Sequence, residues 1–315
     1  MRAAILLTMT LPTFTIAQEP VILKHDGWVA AVAFSPDGKT LASAGADNVV
    51  RLWDVGTWKA KGVLKGHKDC VSAVSFSQKG NLVATGSFDR TARIWNLKNH
   101  SAEHVITNHK GVVLSVLAID DVFPYPFVAS ASVDGTVNLW PSAGHEPVVP
   151  FLRGHRSWVN SLAMSTNHFG SGGSDGIVCL YNKPLNDRKY EALEGGAGEV
   201  RCVAFSPNGK LLAAGNRYHT VRVWDVDSKK EIKTLGGHMS DVWSIAFSPD
   251  GKTLAAADTD WKKPSKVKLW DTATWKERSS LDVPGEILSI AYSPNGEWLA
   301  VGSWDKTVRV FRVKK

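Results

Sequence analysis

The chain has 315 residues, 43% of them hydrophobic and 21% charged, with 37 Lys plus Arg against 30 Asp plus Glu and a formal net charge of +7. This is the composition of a globular chain with apolar material for a large core, and it excludes disorder over most of the length. The three cysteines, Cys70, Cys179 and Cys202, are odd in number and scattered, so they imply no disulfide framework and read as small packing residues.

Residues 1–17 open the chain with Met-Arg, an apolar stretch from Ala3 to Ile16, and Ala17 with Thr15 two places upstream. Such a segment is predicted to be a signal peptide with small residues at its cleavage site, which would make the protein exported, periplasmic or secreted. The alternative is an N-terminal extension on a cytoplasmic protein, since only Arg2 is basic. The stretch is short and interrupted by Thr10 and Pro12, so no transmembrane span is expected. Without Arg2 the net charge would be +6. Lysines such as Lys39, Lys210 and Lys252 sit singly after a turn glycine, a diffuse field that argues against nucleic acid as the partner.

From residue 18 to 315 one pattern repeats. An aromatic recurs at Trp53, Trp95, Trp140, Tyr181, Trp224, Trp270 and Phe311, with successive differences of 42, 45, 41, 43, 46 and 41. That period belongs to propeller blades. Each unit opens on an apolar strand, such as Val29 to Phe34 or Val242 to Phe247. A turn follows, SPDG at 35–38 and 248–251 or SPNG at 206–209 and 293–296, in which Pro presets φ and Gly supplies a positive φ. Then come a second strand (LASAG from Leu41, LVATG from Leu82), a tight turn with Asp, and a third strand (VVRLW from Val49, TVRVW from Thr220). Helical periodicity is absent throughout.

The pairs Gly66-His67, Gly154-His155 and Gly237-His238, with Trp-Asp at 53–54, 224–225 and 270–271, resemble the WD-repeat β-propeller family from Pro20 to Val313. The resemblance implies an all-β, seven-bladed propeller of four-stranded antiparallel blades around a central channel. It also implies that Pro20 to Leu23 supplies the outer strand of the blade completed by Leu288 to Val313, so that N- and C-terminal strands pair and close the ring.

The family's polar tetrad carries over residue by residue. Blade one offers His25, Ser43, Asp47 and Trp53, blade two His67, Thr85, Asp89 and Trp95, and blade three His109, Ser130, Asp134 and Trp140. Asp would bond His, His the hydroxyl, and the hydroxyl the indole, leaving no buried polar atom unsatisfied. A Ser-His-Asp trio repeated at one register in successive blades is structural rather than a catalytic triad. Blade four has His155, Ser171 and Asp175 with Tyr181. Blade five keeps only Trp224, with Gly196, Ala214 and Tyr218 in the other places. Blade six offers His238, Asp260 and Trp270, with Ala256 for the hydroxyl. Blade seven keeps Asp305, beside Pro284, Val301 and Phe311.

In the family, partners bind the face made by the loop before each first strand and the turn between the second and third. The residues expected just before the first strands are Trp28, Cys70, Val112, Trp158, Glu199, Asp241 and Ile287; those before the turn Asp, or its replacement, are Ala46, Phe88, Val133, Ser174, Arg217, Thr259 and Trp304. Trp28, Phe88, Trp158 and Trp304, joined by Arg156 and Arg217, form an aromatic and arginine set suited to a protein-binding hot spot. Capping of neighbouring blades is the competing use of these rings. Trp261, in the stretch WKKPSK that lengthens the blade-six turn by four residues, is a further candidate contact. Trp58 and Trp275, in matching Thr-Trp-Lys positions, are expected to pack on the outer strand.

No metal-spaced His or Cys cluster, phosphate loop or nucleophile motif is present, so neither a metal, a cofactor nor a catalytic residue is assigned. The expected function is a non-catalytic scaffold binding a protein or peptide, monomeric within a larger complex. The alternative is an exported propeller hydrolase or small-ligand-binding protein using its channel, which fold alone does not exclude.

Overall fold

The computed structural model describes residues 19–119, 127–141, 148–152, 154–183, 189–194, 198–260 and 264–313. Within them the strands form seven four-stranded antiparallel sheets. Blade one consists of Val29–Phe34, Thr40–Gly45, Val49–Asp54 and Ala60–Lys65, ordered from the channel outward. Blades two to six repeat it within 71–106, 113–152, 159–194, 200–235 and 242–283. Blade seven takes three strands from 287–312, and its fourth is Val21–Lys24 from the other end of the chain. Val21 faces Val310 and Lys24 faces Thr307, so the predicted closure is present and covers the last edge.

The core is distributed as seven clusters, each shared by two adjacent blades. The recurring aromatic packs backward onto the preceding blade: Trp95 lies among Ala42, Val50, Leu52 and Leu64 of blade one. Small residues in the second strand admit the next blade. At Gly86 a Cβ would stand 2.6 Å from Val113 Cγ1, and Gly215 meets Val242 at the same 2.6 Å, so alanine is barred by the neighbouring valine rather than by backbone conformation. Trp58 and Trp275 join these clusters instead of lying on the outer strand. Trp58 meets Trp298 of blade seven edge-on at 5.1 Å, and Trp275 packs into the cluster between blades five and six.

Polar stitching reinforces the ring. The N–H groups of Val32, Leu162, Val203 and Ile290 donate to Ser289, Ser115, Ser161 and Ser244 of the preceding blade, at 3.0 to 3.1 Å. In all seven blades the pairing of first and second strands carries a bulge at the second residue of the first strand. A bulge re-aims its side chain. The seven residues so placed, Ala30, Ser72, Leu114, Asn160, Arg201, Trp243 and Leu288, line a central cavity of about 610 Å³.

Candidate partner-binding face

One backbone bond recurs in every blade and builds this face. The N–H of the first turn residue donates to the carbonyl just before the first strand: Ala46 to Trp28, Phe88 to Cys70, Val133 to Val112, Ser174 to Trp158, Arg217 to Glu199, Thr259 to Asp241 and Trp304 to Glu286, at 2.8 to 3.2 Å. The last pair corrects the sequence register. Ile287 begins the strand and is wholly buried, so Glu286 holds the position expected of it. The apolar run Ile287 to Tyr292 hid the boundary because Pro284-Gly285 stands where the other blades carry a polar loop.

The tetrads pin the same loops from below. His25 Nδ1 donates to Asp47 at 3.0 Å, its Nε2 accepts from Ser43 at 2.7 Å, and the same hydroxyl accepts from Trp53 Nε1 at 2.7 Å. Blade two repeats this at 2.9, 2.7 and 2.8 Å, and blade three at 3.0, 2.7 and 3.0 Å. The proton directions follow from chemistry. Carboxylate only accepts and indole only donates, so a neutral imidazole carrying its proton on Nδ1 satisfies all four groups. Burial holds His67 and His109 below the ordinary imidazole value, against the opposing pull of Asp89 and Asp134. Burial would raise Asp89, but bonds from Thr91, the Lys68 N–H and His67 together carry it far below the usual carboxylate range. Each Asp thereby ties the loop before its blade to the turn within it, as Lys68, Lys110 and Arg156 N–H donations to Asp89, Asp134 and Asp175 show.

The later blades solve the same problem differently. In blade four Ser171 accepts no indole bond; Tyr181 is buried beside it and its hydroxyl bonds Ser171, while burial pushes that phenol well above its ordinary range. In blade six the carboxylate is Asp258, not the expected Asp260. Asp258 is buried, accepts from His238 Nδ1 at 3.3 Å and from the Met239 and Lys266 N–H groups at 3.1 and 2.8 Å. Elsewhere the tetrad Asp stands two residues after the second strand; here the strand's own last residue does the bonding. With Ala256 in place of the hydroxyl, His238 Nε2 and Trp270 Nε1 are both left buried without a partner. In blade seven Asp305 turns to Arg309 at 2.6 Å. In blade five Asn216 bonds the Tyr218 N–H and Thr220, and Gly196 lies outside the described residues.

The expected contact residues divide into three groups. Trp304, Trp28 and Phe88, from blades seven, one and two, form one aromatic strip: Trp28 stacks on Trp304 at 4.7 Å and 9°, and Phe88 meets Trp28 edge-on at 6.3 Å. Trp158 and Arg156 stand apart in blade four, both exposed. Arg217 is exposed but committed to Glu199 at 3.1 Å. Trp261 lies outside the described residues. Two exposed side chains of this face lie outside the expected set: Tyr218, 64% exposed, and Met239, 57% exposed. Tyr218 was visible only as a missing Asp; its ring lies against Gly198, where a Cβ would come within 2.1 Å of it.

Inside the channel Arg201 is the charged lining residue. It bonds Glu199 at 2.8 Å and Asp241 at 3.3 Å and stacks over Trp243 at 4.7 Å. Asn160 donates to Ser174 and to the Val200 carbonyl. Among the described residues no group of three or more His, Cys, Asp or Glu is placed to hold a metal ion, and no helix is long and apolar enough to cross a membrane.

Strand order, tetrads and loop bonds define a propeller of the WD class. The chain belongs to that family: the WD domain, G-beta repeat matches at 18–54, 58–96, 101–141, 147–182, 188–225, 229–271 and 275–312. Each match begins on an outer strand and ends on the third strand of the next blade, so sequence repeat and blade are staggered, as ring closure requires. The chain is similar to WD repeat-containing protein 18 of Homo sapiens, 29% identical over 36% of this chain and 28% of that protein. It is similar also to THO complex subunit 3 of Arabidopsis thaliana, 28% identical over 42% of each. Small ribosomal subunit protein RACK1 of Caenorhabditis elegans is 28% identical over 60% of this chain and 46% of its own. The matches span less than half the length of these relatives.

Proposed function

We propose that this propeller is a non-catalytic interaction module, binding a protein or peptide partner on the face built by the pre-strand loops and the second-to-third-strand turns. One observation carries the reading. Of the nine exposed large hydrophobic side chains among the described residues, five (Phe88, Trp158, Tyr218, Met239 and Trp304) lie on this face, and the other four sit singly on outer strands. Exposed aromatics gathered on one face of a rigid scaffold are the usual substance of a binding hot spot. Two relatives are by name a THO complex subunit and a small ribosomal subunit protein, which supports membership of a larger assembly. The channel favours this role over hydrolysis, because Arg201 is neutralised by two carboxylates and the lining serines 115, 161, 244 and 289 accept interblade backbone bonds.

The test is affinity purification of the chain with mass spectrometry, beside the Trp28→Ala/Trp158→Ala/Trp304→Ala variant. The variant should lose the specific partners while its circular dichroism and melting midpoint stay near those of the parent. Retention of every partner would sink the proposal.

We place the mature protein outside the cytoplasm, behind a leader at 1–17. The three thiols support tolerance of an oxidising compartment: all are buried, and burial pushes each up to about 12, so none offers a thiolate. N-terminal sequencing of the mature chain should begin at or near Gln18; an intact Met1 would refute export.

A further inference from the structure

Charge is arranged radially around the mouth of the channel. The chain as a whole is basic, at +7. Each pre-strand loop runs from an outer strand to an inner one, so its last residues lie nearest the axis. The charged residues there are Asp69, Glu199, Asp241 and Glu286, all acidic. Cations on the same loops and turns, Lys68, Lys110, Arg156, Arg90 and Lys306, fall one or two residues farther out. Glu199 and Asp241 are neutralised by Arg201 and Arg217. Among the described residues Asp69 and Glu286 make no ion pair; the Asp69 carboxylate accepts the Cys70 N–H at 2.7 Å, and its carbonyl accepts from Ser87 Oγ at 3.0 Å.

These two carboxylates flank the aromatic strip. Glu286 shares its loop bond with Trp304 at one end, and at the other Asp69 adjoins Cys70, whose carbonyl receives the Phe88 N–H. Below the strip the apolar surface continues into the cavity through Leu288 and Ala30, while Arg201 and Trp243 line it from blades five and six. The strip therefore offers apolar depth with a carboxylate at each end on the channel side and the cations Lys68, Arg90 and Lys306 outside it.

We infer that the Trp304–Trp28–Phe88 strip takes a linear protein segment in which a bulky apolar side chain has a lysine or arginine close beside it. The apolar group lies on the indoles at the channel mouth, and the cation reaches Glu286 or Asp69, where the ring faces add cation–π attraction. This rests on the face being the partner-binding surface, and it adds the chemistry of the partner.

The probe is a library of random linear peptides displayed on phage, selected against the full chain and against two variants. Peptides selected on the parent should carry Lys or Arg within two residues of an aromatic or aliphatic anchor. Glu286→Gln with Asp69→Asn, which keeps the acceptor for the Cys70 N–H, should abolish the basic preference and weaken a selected peptide by about tenfold. Trp28→Ala with Trp304→Ala should remove its binding altogether. Neutral or acidic selected peptides, selection unchanged by the carboxamide pair, or no peptide selected at all would each overturn the inference. Peptides dependent on Trp158 alone would overturn it too, while leaving the face as the binding surface. Loss of co-purified partners in the triple tryptophan variant reports separately on that broader reading.

Discussion

At the scale of single residues, the polar tetrad turns on one hydroxyl. Where Ser or Thr is present, four buried groups are satisfied in a chain; where Ala256 replaces it, two are orphaned at once. Ala256 pairs with Ile245 as Ser43 pairs with Val32, so a serine there would stand in the same register. Ala256→Ser is expected to stabilise the protein by about 1 kcal/mol, seen as a rise in denaturant midpoint with unchanged slope. Tyr181→Phe, which removes the hydroxyl serving Ser171, should cost a similar amount. Asp89→Ala should cost about 2 kcal/mol or more, because His67, Thr91 and the Lys68 N–H all lose an acceptor. Tyr218→Ala, at an exposed ring, should cost under about 0.5 kcal/mol. Equal losses for the last two would refute the structural role given to the tetrad.

At the scale of elements, loops and strands respond to pH and to closure. His67 and His109 are held below 6.5 by burial, so the unfolded chain takes up protons first. Stability from these groups is full above about pH 6.5 and falls as the pH drops below it. A second loss follows in the acid range. Burial alone would raise Asp47, Asp134, Asp175 and Asp258, but their hydrogen bonds outweigh it and hold all four below 3.8. Melting midpoints recorded from neutral to acid pH should fall in these two stages; a flat profile down to about pH 5 would count against neutral tetrad histidines. Closure depends on a strand of four residues. Leu23, buried between blades seven and one, should cost about 2 to 3 kcal/mol when replaced by alanine, read as a lower denaturant midpoint.

At the scale of the whole molecule, a ring of equivalent blades carries an unequal face. The aromatic strip comes from blades seven, one and two and the Arg201 cluster from blades five and six, and only the ring sets them around one mouth. This limits what the chain order reveals about the site. Trp28 and Trp304 could be named as candidates, but nothing local indicates that they stack, since they lie near opposite ends of the chain. The exposure of Arg217 was legible in its turn position, whereas its ion pair was not, because Glu199 enters through another loop. Replacing Arg201 by Met should loosen Asp241 and leave Glu199 to Arg217 alone, and a crystal structure of the variant is the direct check.

Blade number was legible in the spacing of the sequence, and strand order, closure and the first three tetrads through the family resemblance that its motifs carry. Each depends on a short motif repeated at a near-constant interval, and a repeat that cannot bury its face alone must stack on its neighbour. Tertiary structure decided the rest: Asp258 over Asp260, the tyrosine hydroxyl standing in for an indole, Glu286 at the mouth, and the meeting of three rings from blades seven, one and two. These depend on where side chains from distant segments come to lie. That is a matter of turn geometry and ring closure, which local spacing does not encode.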